Sequence, residues 1–353
     1  MLFKNLFSIF AKDIGVDLGT ANSLVYEKNR GIICREPSII AVNLKTGQIL
    51  SFGDEAKRMV GRTPAHIVAV RPLINGVISD FEATQEMLRH LLRRAGGGAG
   101  LISGFARVVI GTPFGLTEVE RKAVEDAALS AGAVKVYLID APLVAALGAG
   151  LPIAEPTANL IVDIGGGTTE IAVISMGGIV RAKSLKIAGD KLNEDIIRFI
   201  KEEFKLVIGE PTAEELKIAI GSALASGSKL ELAIRGRSFS SGLPQEIVVE
   251  DSQVRMAIKR SLMSIIEAIR EVIEITPPEL VGDILKQGVH LCGGGSLLRN
   301  IDKLIERETN VSTSVIDDPM TAVARGAGII VEDLKKYASL LNSVSQPREI
   351  KLT

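Results

Sequence analysis

Short apolar runs alternate along this chain with longer stretches of helical period. Ile14-Gly-Val-Asp-Leu-Gly-Thr-Ala-Asn-Ser-Leu-Val-Tyr26 reads as a strand, a glycine turn and a second strand. Leu160-Ile-Val-Asp-Ile-Gly-Gly-Gly-Thr-Thr-Glu-Ile-Ala-Val-Ile174 repeats that plan, with Asp17 and Asp163 in the same place, at a strand end before the turn. Strands interleaved with helices predict an α/β fold. The internal copy predicts two similar domains facing each other with a ligand between them. From Met256 to Ile275, residues Ile258, Leu262, Ile265, Ile269 and Val272 recur at 4-3-4-3 spacing before Pro277-Pro278, a long helix with an apolar stripe. That stripe reads as core; a seam for a partner helix is the alternative. Ala95–Gly104 is a glycine-rich loop, and Gly148-Ala-Gly-Leu-Pro152 marks the boundary between the halves.

The first thirteen residues are apolar without being long enough to span a membrane, which takes ~20 apolar residues. Leu2, Phe3, Leu6, Phe7 and Phe10 recur at helical spacing, with Lys4, Asn5, Ser8 and Lys12 largely between them. A secretory signal needs a longer unbroken apolar region and a small-residue cleavage site. Two readings stand: a helix docked on the protein's own core, or an amphipathic helix in the membrane interface with its lysines near anionic head groups. Leu101 and Ile102, set in the glycine-rich loop, either tuck back onto the body or join that membrane-facing edge. So short a helix binds weakly alone, and attachment through it needs many copies together.

Composition narrows the classes. The chain has 353 residues, enough for two or three domains at roughly 100–200 residues each. Hydrophobic residues make up 46% and charged residues 24%, the balance of a soluble protein with a large core. The net charge of −1 and the lack of a basic stripe argue against nucleic acid as a partner. Cys34 and Cys292 lie far apart, and His66, His90 and His290 have no ligand spacing, so neither a disulfide scaffold nor a zinc site is expected.

Three glycine segments carry the chemistry. In Asp17-Leu-Gly-Thr-Ala-Asn22 a tight turn of small residues lets backbone N–H groups reach a phosphate, while Asp17 can hold the water shell of a Mg²⁺. Asp163-Ile-Gly-Gly-Gly-Thr168 offers the same device from the other side. Its three consecutive glycines favour close ligand approach over a plain hairpin turn. Leu291-Cys-Gly-Gly-Gly-Ser296, ahead of the helical Leu297–Ile305, can admit a flat adenosine group against backbone, or is simply a βα turn. Neither a Walker A loop nor a Gly-x-Gly-x-x-Gly fingerprint after the first strand is present.

The order phosphate, phosphate, adenosine resembles the actin–Hsp70–sugar-kinase superfamily. Ile14–Asn22, Val109-Ile-Gly-Thr-Pro113, Thr117-Glu-Val-Glu-Arg121, Ala146–Pro152 and Asp163–Glu170 are similar to the MreB family of bacterial actins, from about Ile14 to Leu340. The resemblance implies a duplicated actin-like (RNase H-like) fold, two lobes of two subdomains each around a nucleotide cleft. Lobe I is expected at 14–148, with 321–345 returning to it, and lobe II at 149–320. ATP and Mg²⁺ are expected between them. Gly19, Thr20, Ala21 and Asn22 match the first phosphate contacts, and Gly165, Gly166, Gly167 and Thr168 the second. Glu214, Glu215 and Lys217 match the ribose and adenine segment, and Gly293, Gly294, Gly295 and Ser296 the adenosine loop. Asp17 and Asp163 are the expected metal and catalytic carboxylates. The resemblance further implies self-assembly into filaments in the cytoplasm, on the inner face of the cell membrane, working with cell-wall elongation proteins to set rod shape. A membrane-binding N-terminal helix and a membrane-facing apolar loop at Leu101 and Ile102 belong to the same expectation.

One position departs. Where the family usually has Glu-Glu-Pro, this chain has Asp140-Ala141-Pro142. The second Glu handles the attacking water, and a methyl group cannot. Asp140 is a weak substitute, because adjacent side chains at a helix start point about 100° apart. Thr168 can still position the water through its hydroxyl. Slow or lost ATP hydrolysis is therefore expected. Two other classes compete: a small-molecule kinase, which needs a general-base Asp beside a sugar pocket that no segment clearly supplies, and an Hsp70-like chaperone ATPase, which needs a substrate-binding domain after the ATPase half.

Overall fold

The computed structural model describes residues 12–95, 105–225, 227 and 229–342. The apolar positions Leu2, Phe3, Leu6, Phe7, Phe10, Leu101 and Ile102 lie outside the described residues.

Two five-stranded sheets share one plan. In the first, β1 (Lys12–Leu18), β2 (Asn22–Glu27) and β3 (Gly31–Pro37) form an antiparallel meander, and β4 (Phe105–Thr112) and β5 (Ala133–Asp140) add on the other side of β1 in parallel. In the second, β6 (Asn159–Ile164), β7 (Thr169–Ser175) and β8 (Gly178–Leu185) make the meander, and β9 (Val289–Cys292) and β10 (Thr313–Val315) add in parallel beside β6. The two strand orders coincide element for element, so the internal echo in the sequence is a duplicated sheet. Asp17 pairs with Leu24 on β2, and Asp163 with Glu170 on β7.

Each sheet carries helices on one face. Phe81–Ala95 and Glu118–Ala131 cover the first through Met87, Leu88, Leu91, Leu92 and Val124, against Ile14, Val16 and Val108. Glu118–Ala131 starts at a capping box: Glu120 N–H donates to Thr117 Oγ1 at 3.2 Å, and Thr117 N–H donates to Glu120 Oε2 at 2.8 Å. The long helix Asp251–Glu274 buries Ile258, Leu262, Ile265, Ile269 and Val272 in the second core, so its stripe is core and not a seam. A smaller sheet extends each half. Ile49–Phe52, Ile40–Asn43 and Ile67–Val70 extend the first; Leu206–Val207, Glu231–Ser238 and Pro244–Glu250 extend the second.

Two helices fill the space between the large sheets. Ala141–Gly148 leaves the first sheet but packs on β6 and β7 of the second; Ala322–Glu332 leaves the second and returns to β1, β2 and β4. Their shared core draws Val109 and Ile139 from one sheet and Ile161, Ala172 and Ile174 from the other around Val144, Ala145, Val323 and Ala327. The helices cross at glycines. A Cβ on Gly326 would lie 1.8 Å from the Val144 carbonyl oxygen, and one on Gly148 would lie 1.9 Å from that of Ala322.

An alanine in a helix interior ordinarily stabilises by up to about 1 kcal/mol over glycine. At this crossing the sign reverses. Gly326→Ala is expected to destabilise the protein by about 2 kcal/mol or more, because backbone and not a flexible side chain must move; thermal or denaturant unfolding of the variant checks it.

Candidate functional site

The two aspartate turns meet at the floor of a cleft of about 860 Å³ between the halves, within the size range of small-molecule sites. Gly19, Thr20 and Ala21 link β1 to β2. A Cβ on Gly19 would sit 2.5 Å from the Asn22 carbonyl oxygen, so the tightness of this turn demands glycine. Ser38 Oγ donates to the Gly19 carbonyl at 2.5 Å, and Ser38 N–H to that of Ala21 at 3.0 Å, which holds the turn's shape. Across the cleft, Gly165 N–H closes the second turn on the Thr168 carbonyl at 2.9 Å. Its glycines answer to the opposite turn as well as to any ligand: a Cβ on Gly166 would lie 2.5 Å from Ala21 Cβ, and one on Gly167 would lie 2.7 Å from Thr20 Oγ1.

The third glycine segment closes one end. Gly293, at φ 78, leaves no room for a side chain against Asp163 and Ile164. Residues Gly294–Leu297 form a 3₁₀ turn, and the helix expected from Leu297 begins at Ile301, because Asn300 takes a left-handed conformation. Glu214, Lys217 and Ile218 from helix Glu210–Ile220 face this loop across the cleft, along with Leu297, Leu298 and Met320. Lys217 Nζ donates to the Gly189 carbonyl at 2.9 Å, and burial lowers its pKa.

Of the site residues expected from sequence, Asp17, Gly19, Thr20, Ala21, Asn22, Asp163, Gly165, Gly166, Gly167, Thr168, Glu214, Lys217, Gly293, Gly294 and Gly295 line this one cleft. Three do not. Glu215 is exposed on the far side of its helix, one residue and so about 100° round from Glu214. Ser296 is buried and donates to the Gly293 carbonyl at 2.7 Å, supporting the loop from behind. Asp140 is 6% exposed and lies 3.7 Å from the Arg121 guanidinium, while Ala141 reaches the cleft.

Other residues of the cleft escaped the sequence reading. Arg71 crosses from the first half to Asp190 at 3.1 Å and to Glu210, and Lys57 reaches Glu214 at 3.9 Å. These pairs clasp the two halves over the mouth; partners so far apart in sequence leave no local signal. Glu170 did leave one: Asp163 and Glu170 are the only charges between Leu160 and Ile174. Its carboxylate is 3% exposed and accepts from Ser184 Oγ at 2.7 Å and from Phe114 N–H at 3.2 Å.

Enclosure and like charge set the electrostatics. Desolvation pushes the Asp17 carboxyl up to about 8, with the Asp163 charge adding to it. Desolvation also raises Asp163 to about 6, offset in part by a hydrogen bond from the Cys292 thiol, and Glu170 to about 7. Among the described residues no group of three or more His, Cys, Asp or Glu suits a metal. Two carboxylates that repel each other beside phosphate-sized turns fit an ion that keeps its waters and takes few protein ligands, as Mg²⁺ does. The arrangement therefore suits a phosphate chain carrying a divalent cation, with an extended group lodged between Gly293–Gly295 and helix Glu210–Ile220.

The model of the MreB/Mbl protein family matches residues 11–339. The chain belongs to that family. It is 47% identical over 328 residues to the cell shape-determining protein Mbl of Bacillus subtilis, covering 93% of this chain and 98% of that one. It is 41% identical over 346 residues to the cell shape-determining protein MreB of Escherichia coli, covering 97% and 99%. The crystal structure of MreB 5 of Spiroplasma citri bound to AMPPNP superposes with a TM-score of 0.89 at 39% identity, covering 93% and 98%. The MreB/Mbl match and that superposition make the duplicated two-lobed architecture the actin-like fold.

The raised carboxyl of Asp17 has a consequence for stability without metal. Between the ordinary carboxyl pKa and about 8 the folded chain keeps a proton that the unfolded chain has released, so stability falls as pH rises through that window. In metal-free buffer the melting temperature is expected to drop from pH 5 to pH 8. Asp17→Asn should flatten that drop, as thermal unfolding across pH will read.

Proposed function

We propose that the cleft binds ATP with Mg²⁺ and that copies of the chain assemble into filaments on the cytoplasmic face of the cell membrane. There they organise the wall-elongation proteins that set rod shape. The observation that carries this reading is the pair of facing aspartate turns on a duplicated sheet, in one cleft with the Gly293–Gly295 loop and helix Glu210–Ile220. The relatives support it: two are named for cell-shape determination, and the Spiroplasma citri protein holds AMPPNP. In this reading the backbone N–H groups of Gly19–Asn22 and Gly165–Thr168 hold the phosphates. Asp17 and Asp163 orient the waters of Mg²⁺, and Glu214, Lys217 and Gly293–Gly295 flank the nucleoside. The amphipathic positions Leu2, Phe3, Leu6, Phe7 and Phe10, with Leu101 and Ile102, form the membrane edge. A kinase reading has less support, since Asp190 and Glu210 are paired with Arg71, Glu214 with Lys57, and Glu170 is held by Ser184 and Phe114.

Hydrolysis is slow in this reading, because Ala141 stands at the cleft where the family's water-handling Glu belongs. Sedimentation tests the polymer. Mg-ATP should bring the full chain into the pellet, and liposomes should co-pellet with it. Deleting residues 2–10 should abolish the liposome fraction and spare the filaments. No pellet at any concentration, with phosphorylation of a sugar instead, overturns the filament reading. Ala141→Glu should raise phosphate release by about tenfold or more, the scale of a restored base; an unchanged rate refutes the role given to that position.

A further inference from the structure

Five cations line the cleft among the described residues: Arg35, Lys57, Arg71, Lys217 and Arg299. All but one face oxygen. Arg71 meets Asp190 and Glu210, and Lys57 meets Glu214. Lys217 donates to the Gly189 carbonyl, and Arg299 to that of Ala219. Arg35 differs. It is exposed, and its Nη2 donates to the Met320 thioether at 2.8 Å; among the described residues it pairs with no carboxylate.

A guanidinium keeps its charge at any ordinary pH and only donates, whereas a thioether is a weak and uncharged acceptor. Arg35 is therefore held loosely at its tip, while its backbone is fixed. On β3 it stands opposite Leu24 of β2. Directly paired residues on neighbouring strands share a face, and Leu24 lines the cleft. Two residues further along, Pro37 stands opposite Asn22 at the first phosphate turn. Met320 comes from the other half and lies against the third glycine segment, where a Cβ on Gly294 would sit 3.5 Å from its Cε. The stem of Arg35 thus starts beside the first phosphate turn, and its tip ends beside the expected adenosine loop.

We propose that Arg35 is a further nucleotide-binding residue: its guanidinium exchanges the Met320 thioether for the phosphate chain of the bound nucleotide. This rests on the reading of the cleft as an ATP site. The exchange replaces a neutral sulfur acceptor by anionic oxygens, whose hydrogen bonds are shorter and roughly twice as strong as neutral ones. Phosphate is favoured over the base on two grounds. The planar fork of a guanidinium matches phosphate oxygens two at a time. The floor of the cleft also presents the carboxylates Asp17, Asp163 and Glu170, so a polyanionic ligand needs positive charge from the walls. Arg35 can supply it without breaking an ion pair, which Arg71 and Lys57 cannot.

The test measures equilibrium binding of Mg-ATP, Mg-ADP and adenosine to the full chain, by displacement of a fluorescent ATP analogue at protein concentrations too low to pellet. Arg35→Met keeps an apolar stem and removes the charge. It should weaken ATP and ADP by about tenfold, the scale of one hydrogen bond to a charged group, and leave adenosine within about twofold of the parent. The salt dependence of ATP binding should become shallower, because one screened charge contact is gone. Arg35→Lys should lose less than Arg35→Met. Met320→Leu removes the thioether and should leave ATP affinity within about twofold. Parental ATP affinity in Arg35→Met overturns the proposal. An equal loss for adenosine overturns it too, since the residue would then serve the base or the fold. So does Met320→Leu weakening ATP as much as Arg35→Met, since the contact itself would then be what matters. A parent that binds no Mg-ATP sinks the reading of the cleft as well; a parent that binds it beside an indifferent Arg35→Met sinks this inference alone.

Discussion

The crossing of helices Ala141–Gly148 and Ala322–Glu332 holds the two halves in register. Each helix leaves one sheet and packs on the other, so the chain passes between the halves twice, within one shared core. The crossing is possible because Gly148 and Gly326 bring backbone against backbone, where any Cβ would overlap a carbonyl. Interiors packed this densely switch between discrete arrangements more readily than they deform. The cleft lies beside this crossing, at the N-terminal end of helix Ala141–Gly148. Ala141, the first residue of one of the two helices, also lines the cleft, so the crossing and the cleft share a residue.

The cleft is held from two directions. At its floor, glycines at 166 and 167 let the second turn touch Ala21 and Thr20 of the first. At its mouth, Arg71 with Asp190 and Glu210, and Lys57 with Glu214, tie the rims. These rim pairs are partly exposed, and pairs of that kind contribute roughly 0–1 kcal/mol each. The mouth is thus weakly clasped and the floor tightly fitted, the combination expected of a site that opens to exchange ligand without losing the geometry of its phosphate turns.

Burial gives the floor its charge economy. Asp17, Asp163 and Glu170 are all raised by desolvation, and the first two face each other. Enclosing them costs stability unless protons or a cation answer the charge. Glu170 accepts hydrogen bonds from Ser184 Oγ and Phe114 N–H, and the Cys292 thiol holds the Asp163 carboxyl down in part. The carboxylates left most in need of a partner are those nearest the phosphate turns.

Much of this was legible in the residue pattern. The alternation of strands and helices, the duplicated strand–glycine–strand unit and the buried stripe of Asp251–Glu274 all follow from local periodicity, which acts within a few residues and so is written in order along the chain. Asp17 and Asp163 could be singled out because a charge at the end of an apolar strand, before glycines, is conspicuous locally. Glu170 carried the same signal, a charge in an otherwise apolar run. What only the tertiary structure decided was which side of an element each residue faces and what meets it from afar. Glu214 reaches the cleft and its neighbour Glu215 does not, because a helix turns about 100° per residue and only packing sets its phase. Arg71 clasps Asp190 and Glu210, and glycine is required at 148 and 326, because contacts between segments more than a hundred positions apart depend on how the two halves are folded together.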